Sequence, residues 1–572
     1  MNKLIPLFVT IFSAFALCAQ SVSVNEAQYF VDEELRIILV NQGVDGLNAQ
    51  SDVAIEELLF GDGFFLYEPE INLELGEPYD GDFEGESYTL YLTDLPIIRI
   101  TTTEEIVNEP RRLADIQLVE PSGAIFESMI GVEYRGGFSQ TYDKKSLRVE
   151  LWEDEDGDDT FNESLLGMRS DDDWNLNAGW AEPLRVRNYV SWSIWRDMHE
   201  LYYSEDEPEA KPYIDGAFVE LFVDDEYRGL YQLTERMDRK QLKLKRNNDE
   251  DGVRGQLYKA INWGNPRFDQ ITPLPDGENY WGGWEIRYPD LDDENPDFTS
   301  LYDFTEFVME SNPSDFEAEI YEQMDLNSAV DYFIFLNIIM GYDNTGKNTF
   351  LARFDTEAPF NYLPWDLDGT FGNDWRGIYI YYNMAILSNC LFDRMLDDCS
   401  SDGFARAVTA RWNELVSTGI VSAAGLYSRF VDATQPLFDN GVYDREVLAW
   451  PGAALDGNEL QLIEAYIDER VAWLDDNLNN LCPNSTSEYE LAEELIAFPN
   501  PTWDVVYLDL PDLNGSLCYE VTNMTGQIVF SGQLEWVEKP ALSLGTLQGG
   551  IYQLRVWDDC GRVQGVTRIV KR

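Results

Sequence analysis

The sequence predicts an α+β protein built from three successive regions: a β-rich N-terminal part, a large mixed domain, and a small all-β module. Three observations carry this. Residues 22–95 alternate short apolar runs (ILV, FFLY, YTLYL) with Gly, Asp and Asn. From 95 to 480, strand patterns come first and helical patterns follow, the order of an α+β domain. After 490, short runs (VVYLDL, CYEVTN, QIVFSG, IYQLRV, VTRIV) recur at even spacing, as in a small β-sandwich. The boundaries read as a signal peptide over 1–19, a β-rich region over 20–94, the mixed domain over 95–480, a linker over 481–490 and the terminal module over 491–572.

The first stretch, MNKLIPLFVTIFSAFALCAQS, has Lys3, an apolar run and small residues up to Ala19, the pattern of a secretory signal peptide. In the mixed domain, LPIIRITT (95–102), IGVEYRGG (130–137) and the alternating KKSLRVELW (144–152) read as strands. Asp154 to Asp159 (DEDGDD) is a candidate structural Ca²⁺ loop. An EF-hand loop, however, needs Gly and Glu where Asp159 and Leu165 stand. FVELFVDDEYRGLYQLTERMD (218–238) reads strand, turn, strand and then a short helix at Thr234-Glu235; Gly255 to Lys259 is a further strand. Residues 300–340 read as helical. They end in the apolar run Ala329–Met340, whose start Asp325 or Asn327 can cap. The region 400–480 is again mostly helical.

Charge and residue counts exclude several functions. With 106 Asp+Glu against 40 Lys+Arg, the formal net charge of −66 repels nucleic acid and anionic membranes. No run beyond the N-terminus reaches the length of a membrane helix. A single histidine, His199, argues against HExxH zinc hydrolysis and histidine-clustered metals, and any Ser-His-Asp triad would rest on it alone. Acid–base work therefore falls to carboxylates, lysines or tyrosines. Cleavage after Ala19 would remove Cys18 and leave five of the six cysteines; spacing suggests Cys390–Cys399 and Cys518–Cys560 as bridges, with Cys482 left over.

The chemistry concentrates in Met340–Gly372 (MGYDNTGKNTFLARFDTEAPFNYLPWDLDGTFG). Asn348–Phe354 and Asn361–Asp366 read as strands about a turn at 355–360. Pairing about that turn puts Asn348 beside Leu367, next to Asp366 and Asp368, with Asp343 overhanging from the helix end. Hard oxygen ligands beside a free carboxylate suit Mg²⁺-dependent phosphoryl transfer. The near-match to GxxxxGK[ST] at Gly341–Asn348 is not a P-loop. Asn348 replaces the hydroxyl, and the chain runs from helix to strand. A better template is the kinase catalytic loop, where a base Asp and a metal-binding Asn stand five positions apart, as Asp343 and Asn348 do.

At these residues, and at Arg135-Gly136, Lys144 to Arg148, Leu165 to Gly167, Asp172 to Trp174, Arg187-Asn188, Phe218 to Leu221 and Tyr227 to Glu235, the chain resembles the spore-coat protein H (CotH) kinases. The resemblance implies an atypical protein-kinase-like domain that uses ATP and Mg²⁺, with Mn²⁺ as an alternative, to phosphorylate Ser/Thr. By that resemblance Asp343 is the catalytic carboxylate, and Asp366, Asn348 and Asp368 hold the metal. Lys144 or Lys145, paired with Glu235, binds phosphate, with Lys259 as the second lysine candidate, and Tyr258 and Phe360 flank the adenine.

Phe498 to Thr502 (FPNPT), Met524-Thr-Gly526, Gly550-Ile-Tyr552 and the basic pair Lys571-Arg572 resemble the type A C-terminal sorting domain of the type IX secretion system of Bacteroidetes. This implies export and a secreted or outer-surface location. The partners expected are the secretion machinery and an unidentified surface or secreted protein substrate. The rival reading is a non-catalytic surface, adhesion or glycan-binding protein on the same scaffold. The 16 Trp and 31 Tyr would suit sugar stacking.

Overall fold

The structure is a computed structural model describing residues 19–572, apart from 49–52, 248–252, 276, 290–296, 381–384, 454, 456–457, 483–494, 510–516, 524–526, 535–539 and 559–562. The expected signal peptide, the Met524–Gly526 motif, Cys560 and most of the linker therefore lie outside the described residues. The chain mixes helix and sheet and divides into two compact units. One comprises Met1–Val186, Ile214–Arg236 and Phe430–Gly457; the other comprises Arg187–Tyr213, Met237–Arg429 and Asn458–Arg572.

The first unit holds a seven-stranded sheet from the β-rich N-terminal residues and a closed seven-stranded barrel. One face of the sheet carries Ile38, Val40, Ile55, Leu58, Phe64 and Leu90, all fully buried. Ile37 and Leu39, on the other face of the strand Ile37–Val40, are buried as well, in a cluster with Phe222 and Tyr227, so the sheet is covered on both sides there. The barrel is built from Ile97–Thr102, Arg112–Val119, Ile125–Tyr134, Leu147–Trp152, Asp173–Asn177, Gly216–Val223 and Glu226–Thr234. Its interior is filled by Ile98, Ile130, Val149, Trp174, Leu176, Val219 and Leu221. The short helix expected at Thr234-Glu235 is absent, because Thr234 closes the strand Glu226–Thr234 by pairing with Gly216. Asp154 Oδ1 accepts the backbone N–H groups of Gly157 (2.8 Å) and Asp158 (3.1 Å), so the acidic loop is a tight turn closed on itself.

The second unit is organised around the helix Leu326–Ile339. It is buried on every side except at its ends, which explains its unbroken apolar run. Asp325 caps it, accepting the N–H of Ser328 at 2.7 Å. The helix Arg187–Met198, the helix Phe404–Ser417 and the helix Glu459–Leu478 pack on it. A five-stranded sheet containing Gln256–Ala260, Thr349–Arg353 and Phe360–Pro364 covers another side. The same unit includes the all-β module. There, Ile496–Phe498, Val505–Asp509 and Ala541–Ser543 form one sheet, and Leu517–Asn523, Ile528–Leu534, Gly550–Asp558 and Val563–Lys571 form the other. Val506, Leu508, Val521, Leu554 and Ile569 are buried in its core.

The cysteines pair differently from expectation. Cys399 is bonded to Cys482, with Cα atoms 5.7 Å apart, so it is not available to Cys390. Cys518 is a free, half-buried thiol. Sequence spacing missed the bridge because it joins residues 83 positions apart. His199 is buried, stacked on Trp195, with Nδ1 3.0 Å from Asp331. Arg411 holds the other oxygen of Asp331 at 2.7 Å. His199 Nε2 has no hydrogen-bond partner among the described residues, so no serine stands where a triad would need one. No described helix is long and apolar enough to cross a membrane.

Candidate functional site

The long apolar helix ends at Met340, a left-handed residue (φ 54°), and the chain turns through a 3-10 segment, Asp343–Thr345. Asn344 fixes this turn. Its buried side-chain amide donates to the carbonyl of Asn348 (2.7 Å) and to that of Trp365 (2.8 Å), tying the turn to both strands of the hairpin. The Tyr332 hydroxyl donates to the Asn344 carbonyl at 2.8 Å, anchoring the turn to the helix.

The hairpin forms, in a register two residues away from the expected one. Thr349 faces Pro364, and Trp365 N–H donates to the Asn348 carbonyl at 3.0 Å, so Asn348 lies beside Trp365 rather than Leu367. The shift arises because the first strand ends at Arg353, one residue earlier than read, and the second begins at Phe360, inside the stretch read as turn. Asp366 is thereby the residue just beyond the pair, and Asp368 lies further along the loop. Two side chains of the helix Arg187–Met198 pin that loop: Asn188 accepts from Leu367 N–H (3.2 Å), and Arg187 donates to the Thr370 carbonyl (2.9 Å).

Asn348 (φ 52°) and Asp366 (φ 56°) are both left-handed. This backbone costs a non-glycine residue of order 1 kcal/mol and persists where surrounding structure imposes it, often at functional sites. The Asn348 amide and the exposed Asp366 carboxylate make no hydrogen bond or ion pair among the described residues. Asp343 is 21% exposed, with Lys347 3.7 Å away. Burial, together with the nearby Asp366 and Asp374 carboxylates, raises its carboxyl above the usual range, and Lys347 only partly offsets this. Lys259 stands on the same face of the sheet, its Nζ 4.8 Å from the Trp365 ring and 5.7 Å from that of Phe350. The described residues contain no cluster of three acidic, His or Cys ligands. Mg²⁺ needs fewer, since it commonly takes one or two carboxylates and completes its shell with water and substrate phosphate. Carboxylates close enough to oppose each other's ionisation, beside an unpartnered amide, fit such a cation.

Other expected residues lie elsewhere. Tyr258 and Phe360 do not flank an open adenine slot. Both are fully buried, 6.4 Å apart, packed with Phe298 and Phe304. Alternation along the strand puts Tyr258 on the face opposite Lys259. In the barrel unit, Lys144 is paired with Glu446 at 2.7 Å, not with Glu235. Glu235 accepts the backbone N–H groups of Arg169 (2.8 Å) and Asp215 (3.0 Å). Lys145 donates to the Tyr142 carbonyl at 2.9 Å. Sequence reasoning missed Glu446, which sits in an ordinary amphipathic helix. It also missed Lys347 and Asn344, although both lie inside the Gly341–Asn348 stretch.

These features define a mixed helix and sheet domain that carries a carboxylate–amide constellation and is followed in the chain by an all-β module. The chain belongs to the family described as CotH kinase protein, which matches residues 132–474. Residues 496–571 match the secretion system C-terminal sorting domain, which implies handling by the type IX machinery and a secreted or surface location. The chain is also similar to the inner spore coat protein H of Bacillus subtilis (strain 168): 22% identical over 271 residues, which is 47% of this chain and 67% of that protein.

Proposed function

We propose that the chain is a secreted protein kinase with an atypical kinase-like domain, transferring the γ-phosphate of ATP to Ser/Thr hydroxyls of extracellular or surface proteins with Mg²⁺. The observation that carries this reading is the pair of left-handed, unpartnered side chains, Asn348 and Asp366, beside a carboxylate whose proton is held unusually firmly. Asp366 and Asn348 would hold the metal, with Asp368 assisting. When bound, the cation neutralises the phosphate charge. Asp343 accepts the hydrogen bond of the acceptor hydroxyl and orients it. Lys259 places its ammonium against the phosphates from the sheet. The sorting tail directs the protein through a type IX system of the Bacteroidetes kind to the outside of the cell.

The test is transfer of label from γ-labelled ATP to a generic Ser/Thr substrate, with Mg²⁺ or Mn²⁺, by the wild type, Asp366→Ala and Asn348→Ala. Transfer by the wild type and its loss in Asp366→Ala support the reading. Full transfer by both variants removes the site assignment. No transfer, and no metal-dependent nucleotide binding, leaves the non-catalytic surface or glycan-binding protein.

A further inference from the structure

Beside Asp343 the surface changes character. In a chain with 106 acidic residues, the residue immediately before Asp343 is Tyr342, an aromatic that is 52% exposed. Its ring lies 5.6 Å from that of Trp263, at 49°. Trp263 is half-exposed, and Ile261 in the same segment is 37% exposed. That segment leaves the strand Gln256–Ala260 directly beside the site, since Asn348 N–H donates to the Ala260 carbonyl at 2.9 Å.

The contact is built in. A Cβ at Gly346 would collide with Arg267 Cγ and lie 3.1 Å from the Trp263 ring. Glycine at 346 is what lets the Trp263 segment press against the Asp343 turn. The Tyr342 ring contributes nothing to the core, and its hydroxyl has no hydrogen-bond partner among the described residues. Exposed aromatics that pair with each other and border a reaction centre mark a recognition surface.

We propose that Tyr342 and Trp263 form the platform for the acceptor segment, and that the preferred substrates carry an aromatic or large aliphatic side chain within about three residues of the phosphorylated Ser/Thr. An extended chain advances about 3.3 Å per residue. A hydroxyl on Asp343 therefore brings a side chain one to three positions away over the neighbouring rings. Acidic flanking residues are disfavoured by the chain's net charge of −66. Of the nearby cations, Lys347, Arg376 and Arg267 are already engaged with Asp343, Asp374 and Asp269, and Lys259 is assigned to the phosphates. This inference rests on the kinase reading for its chemistry, although the platform can be tested without turnover.

The first arm measures KM for paired peptides that differ only in a Phe or an Ala near the serine, using wild type, Tyr342→Ala and Trp263→Ala. The Phe peptide should be preferred by about tenfold in the wild type, and the preference should shrink toward one in each variant. The second arm titrates Asp366→Ala protein, with and without Tyr342→Ala, with the same fluorescent peptides. Tighter binding of the Phe peptide that depends on Tyr342 supports the platform even if no transfer is found. No Phe preference in either arm, or one unchanged by both substitutions, overturns it. Loss of transfer with Tyr342-dependent binding retained would fault the kinase reading alone. Both side chains face solvent, so cooperative unfolding of the variants should match the wild type and confirm that folding is not the cause.

Discussion

Lys144 and Glu446 form a 2.7 Å ion pair in which neither side chain reaches solvent. Glu446 also receives Arg185 at 3.3 Å and the Leu230 N–H at 2.8 Å, and a Cβ at Gly229 would overlap its Oε2. Glu446→Ala should therefore cost about 3–5 kcal/mol, because it leaves a buried ammonium uncompensated. Lys144→Met should cost less, since Arg185 still faces the carboxylate. Gly229→Ala should destabilise by displacing Glu446 and by forcing a side chain onto φ 81°. Urea denaturation of the three variants checks the order, and Lys144→Met proving the most damaging would contradict it.

The same pair gives a pH dependence. Burial lowers the Lys144 ammonium from its ordinary 10.5 to about 8, with the Glu446 charge opposing the shift. The unfolded chain keeps that proton up to about pH 10.5, whereas the folded chain releases it near 8. Between those values the unfolded state binds more protons, so this group's contribution to stability rises with pH; below 8 its cost is fully present. Relative to Lys144→Met, the wild type should gain about 2 kcal/mol between pH 8 and 10. A difference that is flat or falls with pH would show that the pair stays charged.

Asn344 reaches neither substrate nor metal in the proposed chemistry, yet it holds Asn348 and Trp365 together through one amide nitrogen. Asn344→Asp cannot donate and sets a carboxylate against two carbonyls. It should lower kcat at least tenfold, with KM for ATP moved less, and cost about 2 kcal/mol of stability. Unchanged kcat in a folded Asn344→Asp protein would mean that the hairpin needs no such staple.

Much of this architecture was legible in the sequence for simple reasons. The helix Leu326–Ile339 announces itself because full burial requires an unbroken apolar run, and Asp325 is a capping residue type. The strands of the all-β module alternate and are separated by turn residues. What escaped was long-range or conformational. The partner of Lys144 lies 302 positions away. The disulfide bridges 83 positions. Asn and Asp tolerate the left-handed region better than other non-glycine residues, but nothing in the sequence marks which of them adopt it. The hairpin register slipped by two because Phe360 is a strand residue whose neighbour, Pro359, reads as turn, and because Phe354, apolar like the strand before it, falls outside that strand. A slip of two keeps every side chain on its face, so the proximity of Asn348 and Asp366 survived the error, whereas a slip of one would have destroyed it.

Asp343 carries the conflict between stability and chemistry at this site. Its carboxyl is raised by burial and by Asp366 and Asp374, more than Lys347 lowers it. A carboxyl whose folded pKa lies above its unfolded 3.8 favours the folded state only while protonated, and that contribution disappears as pH rises through the folded pKa. Wherever it is ionised, the group is thus a net cost to the fold. Asp343→Asn removes the charge, keeps the shape, and should stabilise the apo protein by about 1 kcal/mol at pH 7 while abolishing phosphate transfer. Saturating Mg²⁺ should narrow the stability difference, because the cation screens the carboxylates in the wild type. Thermal unfolding of both proteins at pH 7, with and without Mg²⁺, reads this directly. A less stable Asp343→Asn protein would mean that the Lys347 contact, at 3.7 Å, outweighs the burial and the opposing carboxylates.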